Sequence, residues 1–266
     1  MRGNVEKIYG AFLKYLRIVV NPFKKFITVA NCEIHKSINI QALKILKNDN
    51  YIDAYYFFSD YIEQLNDGVT WADQDLRSMG HFYNPYRKRG LYGNRDALSL
   101  AEEYYDRALC EWKANDIEKA MFYLGAAIHL VQDMAVPQHA NIRLLDNHRQ
   151  YENFIRRTYI NTPKFKVYSG GYYFMHKIGE AVTCNARNSI KIYSRLKRIN
   201  NVEKRFFTIT KFILHLAQRT TAGCLMMFYR DISRGMPARG GERSDDYSKG
   251  LRSGRIKPAR GIVRIL

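Results

Sequence analysis

The spacing of apolar residues is helical along most of this sequence, and this restricts the folds open to it. Apolar residues recur at intervals of three and four, which places them on one face of an α-helix. Strand-like alternation is almost absent. The pattern predicts an all-α fold, a compact bundle with helices near 35–48, 51–66, 96–114, 116–135, 148–160, 173–196 and 202–232.

Helix-breaking residues divide the pattern at three places. The segment from Asp67-Gly68 to Asn84-Pro85 is predicted to be a loop with short turns. Pro137 is predicted to end the helix that precedes it. Between residues 165 and 174, Gly170-Gly171 predicts a short hairpin or an aromatic loop, a candidate rim over a pocket.

Length and composition predict one folded domain. The 266 residues are 46% hydrophobic, which is enough to build a full core. We assign the domain to residues 31–232. Residues 1–30 are an uncertain N-terminal segment, a possible atypical signal or pro-segment, in which Lys14 and Arg17 interrupt the apolar run. No stretch reaches the roughly 20 uninterrupted apolar residues of a membrane span.

The chain is strongly basic, with a formal charge of +18 and a pI near 9.7. Such a surface attracts polyanions, whether nucleic acid, anionic lipid or an acidic envelope polymer, and charge alone does not choose among them. Part of the excess lies in residues 233–266, which carry nine Lys or Arg against three acidic residues. We predict that this segment is a disordered basic tail.

The four cysteines are scattered without the CxxC spacing of a zinc knuckle or a redox pair. Isolated buried thiols are the simpler interpretation. The alternative is that the four cysteines form two disulfides, if the protein is exported.

One short region concentrates residues that bind metals. His129 and Asp133 are four apart in a strongly helical segment, so the imidazole and the carboxylate project from one helical face. His148 and Glu152 repeat that spacing, and His139 follows Pro137 between the two pairs. Either pair alone is better explained as a local hydrogen bond. Three of the seven histidines within twenty residues, beside two suitably spaced carboxylates, favour a zinc site with an open position for catalysis.

Several motifs, in order, resemble the zinc-dependent phospholipase C family of bacteria, whose helical fold and three-zinc site are shared with single-strand nucleases of the S1/P1 type. The resemblance spans about His35 to Phe154. It is carried by Gly68-x-x-x-Ala72-Asp73, His81-Phe-Tyr-Asn-Pro85, Phe122-Tyr-Leu-Gly125, the run His129-x3-Asp133-x5-His139 containing Pro137, and Tyr151-Glu-Asn-Phe154.

This resemblance implies a set of metal ligands for two or three Zn²⁺ ions. One zinc would be held by Asp73, His81, His129 and Asp133, and a second by His139, His148 and Glu152. His35 falls where the family places a ligand of the third zinc, with Asp133 bridging. The family completes that third site with an N-terminal Trp, and no Trp precedes His35 here. Either processing near residues 20–30 creates a new N-terminus, or the third site is degenerate.

The implied function is hydrolysis of a phospholipid phosphodiester by metal-activated water, with Asp73 as the candidate general base and with a phospholipid or membrane surface as partner. The first alternative is an S1/P1-type nuclease acting on nucleic acid, which Trp71-Ala72-Asp73 resembles. The second is a non-catalytic binding protein on the same fold. The resemblance also implies an exported or cell-envelope protein. His176 and His215 are interpreted as structural, and no protein partner, substrate-binding residue or oligomeric state is predicted.

Overall fold

The computed structural model describes residues 32–74, 80–91, 95–142 and 148–234, with the backbone alone for 148, 149, 152 and 234. Residues 1–31 and 235–266, which contain most of the predicted N-terminal segment and basic tail, lie outside this range. In the described residues the elements are α1 (32–48), α2 (Ile52–Asp60), α3 (Ile62–Ala72), α4 (Ala97–Lys113), α5 (Ile117–Asp133), α6 (Pro137–Asn141), α7 (His148–Thr158), a 3₁₀ turn (Pro163–Phe165), α8 (Ile178–Leu196) and α9 (Val202–Arg234). The predicted all-α class is confirmed.

Helix α5 lies at the centre of the bundle and carries two of the predicted ligands. Every residue from Leu124 to Asp133 is buried, because α5 packs against α3 and α4 and also against α8 and α9. Its N-terminus is capped by Asp116, whose carboxylate accepts a hydrogen bond from the Lys119 backbone N–H at 3.2 Å. Its C-terminus comes before Pro137, since Val136 is extended and Pro137 opens the short helix α6.

The predicted loop after Asp67-Gly68 is wrong in its first part, because α3 continues through Gly68 to Ala72. Gly68 is a packing position rather than a turn. A Cβ added there would lie 1.8 Å from the Phe122 carbonyl oxygen, and one at Gly125 would lie 2.0 Å from the Leu65 carbonyl oxygen. The two glycines face each other across the α3–α5 contact and allow these backbones to approach closely.

Two other helix predictions need correction. The single helix predicted over 51–66 is two helices that meet at Tyr61, where φ is −117° and the N–H bonds to the Phe58 carbonyl in a tighter turn. The helix predicted from 173 begins at Ile178. The other predicted helices begin and end within three residues of the observed bounds, because helix termini are the least sharply defined part of a sequence pattern.

Residues 165–174 form an aromatic loop and contain no β-strand. Gly170 and Gly171 both adopt positive φ, +92° and +88°. The Asp49 carboxylate accepts hydrogen bonds from both of their N–H groups, at 2.9 and 2.7 Å, and Arg219 donates to both of their carbonyls. Asp49 directly follows α1, roughly 20 Å along that helix from His35 at 1.5 Å per residue. The Gly170–Gly171 turn of this loop is therefore held far from His35.

Helix α9 joins two buried apolar clusters into one core. Its C-terminal half contributes Leu225 and Phe228 to the larger cluster, which surrounds α5. Its N-terminal half contributes Ile209 and Ile213 to a smaller cluster with α7. None of the described helices is long and apolar enough to cross a bilayer.

All four cysteines are in the described residues, and none is in a disulfide. Cys32 and Cys224 are buried as interpreted, whereas Cys184 is half-buried and Cys110 is exposed.

Candidate metal centre

Six of the predicted ligands come together from separate elements of the fold. His35 lies on α1, Asp73 directly after α3, His81 in the segment that follows, His129 and Asp133 in the last turns of α5, and His139 on α6. Two sets of three have ligand atoms that all lie within 4.8 Å of one another: His35 with His129 and Asp133, and Asp73 with His81 and His129. His129 belongs to both sets, so the cluster is continuous.

Asp133 is the centre of the cluster. Its Oδ2 lies 2.8 Å from His81 Nδ1, 3.3 Å from His129 Nε2 and 3.7 Å from His139 Nδ1, and its Oδ1 lies 3.4 Å from His35 Nε2. All of these groups are buried or nearly so. A carboxylate surrounded by four imidazoles is the composition expected of a cation site.

The polar atoms of this cluster are not satisfied by one another. Despite the short approaches, Asp133 Oδ2 has no partner of hydrogen-bond geometry, and neither has His129 Nδ1, among the described residues. Buried polar atoms are nearly always hydrogen-bonded, so orphaned ones indicate a ligand. The nitrogen and carboxylate donors suit zinc in particular, and the residues therefore fit the metal that the sequence predicts.

Three of the histidines have one ring nitrogen held by an oxygen acceptor. His35 Nδ1–H donates to Gln132 Oε1 at 2.8 Å, His81 Nε2–H to the Ala72 carbonyl at 3.0 Å, and His139 Nδ1–H to the His81 carbonyl at 3.0 Å. In this tautomer the opposite nitrogen of each ring carries a lone pair. Such outer hydrogen bonds orient and tune metal-ligating histidines.

Gln132 belongs to this outer layer, a role that the sequence analysis missed. Besides accepting from His35, it donates through Nε2 to Asn39 Oδ1 at 2.8 Å and Thr221 Oγ1 at 3.1 Å. Asn39 in turn donates to Asn66 Oδ1 at 3.0 Å. Because both Nε2 hydrogens are used, the amide presents its oxygen to His35. The available signal was position, since Gln132 lies three residues after His129 and next to Asp133.

Two further neighbours support individual ligands. The Cys32 thiol, 1% exposed, donates to Asp73 Oδ2 at 3.5 Å, and its spacing of three from His35 on one helix could have revealed it. Phe82 stacks on the His139 ring with centroids 4.9 Å apart and an angle of 8° between the planes. These contacts restrict the rotamers of Asp73 and His139.

The pKa values in the cluster follow from burial and from its mixed charges. Burial, with the neighbouring His129, lowers the pKa of His35 to about 4, and burial also lowers the pKa of His129. Burial, with Asp133 nearby, raises the pKa of Asp73. Burial opposes ionisation of Asp133, but His129 and His139 outweigh it and hold its pKa well below the ordinary range. Asp133 is thus an anion that four imidazoles surround.

Two predicted ligands and two further histidines remain to be placed. His148 and Glu152 lie on α7, and their side chains are outside the described part of the structure, so their role as ligands stays a prediction. His176 is exposed and lies before α8 rather than on a helix, and His215 Nε2–H donates to the Lys164 carbonyl at 2.9 Å. Neither His176 nor His215 belongs to the two sets of candidate ligands.

The helical bundle and its buried histidine–carboxylate cluster define an all-α protein with a candidate metal centre. The chain belongs to the zinc-dependent phospholipase C family, since the model of that family matches residues 34–215, more than half of the sequence.

Individual relatives agree with this assignment. The chain is similar to a phospholipase C of Clostridium novyi, with 26% identity over 75% of this chain and 59% of the relative, and to one of Bacillus cereus, with 30% identity over 47% of each. The alpha toxin of Clostridium absonum has a similar fold, with a TM-score of 0.67 at 20% identity over 77% of this chain and 66% of the toxin. The chain thus spans 59% of the length of the first of these relatives.

Proposed function

We propose that this protein is a zinc-dependent phosphodiester hydrolase that cleaves phospholipid in the manner of a phospholipase C. The observation that carries the proposal is the assembly of six predicted ligand residues, one of them the central Asp133, with orphaned buried atoms among them. Membership of the family supports the same reaction class. The named activity of the relatives supports phospholipid as the substrate.

The proposed zinc assignment follows the resemblance. Asp73, His81, His129 and Asp133 would hold one ion, and His35 with Asp133 another. His139, together with His148 and Glu152, would hold the remaining ion. When bound, zinc supplies a water of lowered pKa and positive charge opposite the phosphoryl oxygens.

The reaction transfers a phosphoryl group to water. The water oxygen attacks phosphorus, the bond from phosphorus to the glycerol oxygen breaks, and the products are diacylglycerol and a phosphorylated headgroup. We propose that Asp73 orients the attacking water and accepts its proton, because its carboxylate lies in the set of candidate ligands with His81 and His129. Cys32, which donates to Asp73 Oδ2, would hold the carboxylate in place.

Neither alternative function gains support from the described residues. Trp71, which a nuclease could use to stack a base, packs instead against Tyr104 and Phe122 with ring centroids 5.5 and 5.4 Å away. It is part of the contact of α3 with α4 and α5. A non-catalytic binding protein would not require the competent ligand set. From the family resemblance we also propose a location at the cell envelope or outside the cell.

The decisive experiment is metal analysis combined with a substrate panel. We expect purified protein to contain zinc and to hydrolyse phosphatidylcholine or phosphatidylethanolamine, but not single-stranded DNA or RNA, and to lose this activity to a chelator. His129→Ala and Asp133→Ala should each abolish activity and lower zinc content, because each removes a central ligand.

His176→Ala is the matched control, since that ring is exposed and outside the cluster, and it should keep both zinc and activity. Protein without zinc, or activity confined to nucleic acid, would overturn the proposal.

A further inference from the structure

A second recess in the molecule has no part in the proposed reaction. It is a cavity of about 410 Å³ where α6, α7, α8 and α9 meet. Tyr151, Tyr193 and Phe206 provide aromatic walls, and Lys197, Arg198 and Arg205 provide cations. None of the six candidate ligands whose side chains are described is among its lining residues, although Gln138 in its wall is next to His139 along the chain.

Within the described part of the chain, no acidic group balances the positive charge of this cavity. Among the described residues, the lining contains no carboxylate, and Lys197, Arg198 and Arg205 form no ion pair. The surrounding segment 191–205 carries six Lys or Arg against a single Glu. Three cations on one concave surface repel one another unless an anion neutralises them.

Part of the site is held in place without a ligand. Arg205 is half-buried, and its Nη1–H donates to the Ile199 carbonyl at 3.0 Å in the turn between α8 and α9. Its guanidinium lies 5.9 Å from the centroid of the Phe206 ring. Tyr151 is buried and accepts a hydrogen bond from Thr210 at 3.2 Å, which fixes the aromatic wall. Lys197 and Arg198 are exposed and able to move toward a ligand.

The size and lining select a class of ligand. Guanidinium and ammonium groups together favour phosphate, which accepts several charge-assisted hydrogen bonds. A volume of 410 Å³ is larger than a phosphate group needs and falls within the range of roughly 300–1,000 Å³ that organic ligands occupy. The aromatic walls suit the carbon skeleton attached to the phosphate.

We infer that this cavity, hereafter the α8–α9 pocket, binds the glycerophosphate group of an anionic phosphoglyceride. A bound lipid would hold the protein on an anionic surface with α6, and thus His139, close by. This goes beyond the proposed function, because binding in the α8–α9 pocket needs neither zinc nor hydrolysis.

The test is binding of the full chain to vesicles of phosphatidylcholine with and without phosphatidic acid, measured by co-sedimentation at fixed ionic strength. Wild type is expected to bind the phosphatidic acid vesicles more tightly. Lys197→Gln combined with Arg198→Gln should weaken that binding by about tenfold or more, since charge-assisted hydrogen bonds to phosphate are lost. Circular dichroism and zinc content would show that this double variant is folded.

The matched control is Lys191→Gln combined with Lys204→Gln. These two lysines are exposed on α8 and α9, on either side of the Lys197–Arg198 turn, and do not line the pocket. Their replacement removes the same charge. The control should retain most of the preference for phosphatidic acid. An equal loss in both double variants would indicate general surface attraction and would overturn the inference, as would no loss in the first.

Competition with soluble glycerol 3-phosphate shows whether the pocket recognises a free phosphate ester or only an intact lipid in a vesicle. If it displaces the protein from the vesicles, the pocket recognises the phosphate ester itself; if binding requires the vesicle, the acyl chains take part. Protein that binds these vesicles but hydrolyses no phospholipid would contradict the proposed function and leave the α8–α9 pocket supported.

Discussion

At the scale of single residues, the candidate centre depends on side chains that are not themselves ligands. Gln132 is 2% exposed and connects His35 to Asn39 and Thr221 through three hydrogen bonds. Because its two N–H groups are used by the protein interior, its oxygen is fixed toward His35. Gln132 therefore acts as a positioning residue for that histidine.

Replacing Gln132 by Met tests this role, because Met has a similar volume but cannot accept from His35 Nδ1–H. We expect zinc affinity to fall by about 10- to 100-fold, the usual effect of losing an outer hydrogen bond to a ligand. Competition with a chromogenic chelator would measure it.

Thr221→Val is the control, since it removes another hydrogen bond of Gln132 and leaves the one to His35. It should cost about 1 kcal/mol of stability while zinc affinity changes little. An unchanged zinc affinity in Gln132→Met would show that the amide has only a structural role.

At the scale of elements, the position of Asp73 depends on how closely α3 approaches α5. Asp73 directly follows α3, and His129 and Asp133 belong to α5, so the distance between these helices determines whether the three groups meet. The glycine pair Gly68 and Gly125 makes the short distance possible.

Gly68→Ala should therefore disturb both stability and the site. Its Cβ would lie 1.8 Å from a backbone oxygen that cannot rotate away, so the helices must separate. We expect the free energy of unfolding in urea to fall by about 3 kcal/mol or more, and zinc affinity to fall with it.

Gly179→Ala is a suitable comparison on α8. There the Cβ would meet Glu102 Oε1 at 2.4 Å, the end of a flexible side chain that can move. The free energy of unfolding should fall by less than about 1 kcal/mol, because the higher helix propensity of Ala partly offsets the clash. Equal effects at both positions would contradict the role given to the α3–α5 contact.

At the scale of the whole molecule, the candidate centre ties together parts of the chain that are far apart in sequence. The described ligands extend from His35 to His139 and come from α1, from the segment after α3, and from α5 and α6. Zinc ions held by these residues would bind the folded chain and not the unfolded one, and they should stabilise the entire bundle.

We expect chelation of zinc to lower the melting temperature by on the order of 10 °C, since saturation at about 1,000 times Kd contributes about 4 kcal/mol and each kcal/mol shifts Tm by about 2–4 °C at this size. Calorimetry with and without chelator would measure the shift. In His129→Ala the zinc-dependent part of Tm should disappear, whereas His176→Ala should keep it. A chelator without effect on wild type would contradict the role of zinc in stability.

The sequence by itself determined the all-α class, because helical spacing of apolar residues is a local property that any packing must satisfy. It also predicted the ligands His35, Asp73, His81, His129, Asp133 and His139, since the order and spacing of their motifs could be compared with a family. The structure brings these six residues together, and their role as zinc ligands stays a prediction. His148 and Glu152, together with the tail, stay predictions.

Only the tertiary structure decided the rest. The Asp67-Gly68 pair is typical of a turn, yet it lies inside α3. Gly68 is there because α5 approaches so closely that a Cβ would not fit. Trp71 could have stacked a base, but it is half-buried and packs against Tyr104 on α4 and Phe122 on α5. The partnership of Gln132 with His35 joins residues 97 positions apart. Such contacts depend on how helices pack, and no local spacing along the chain contains that information.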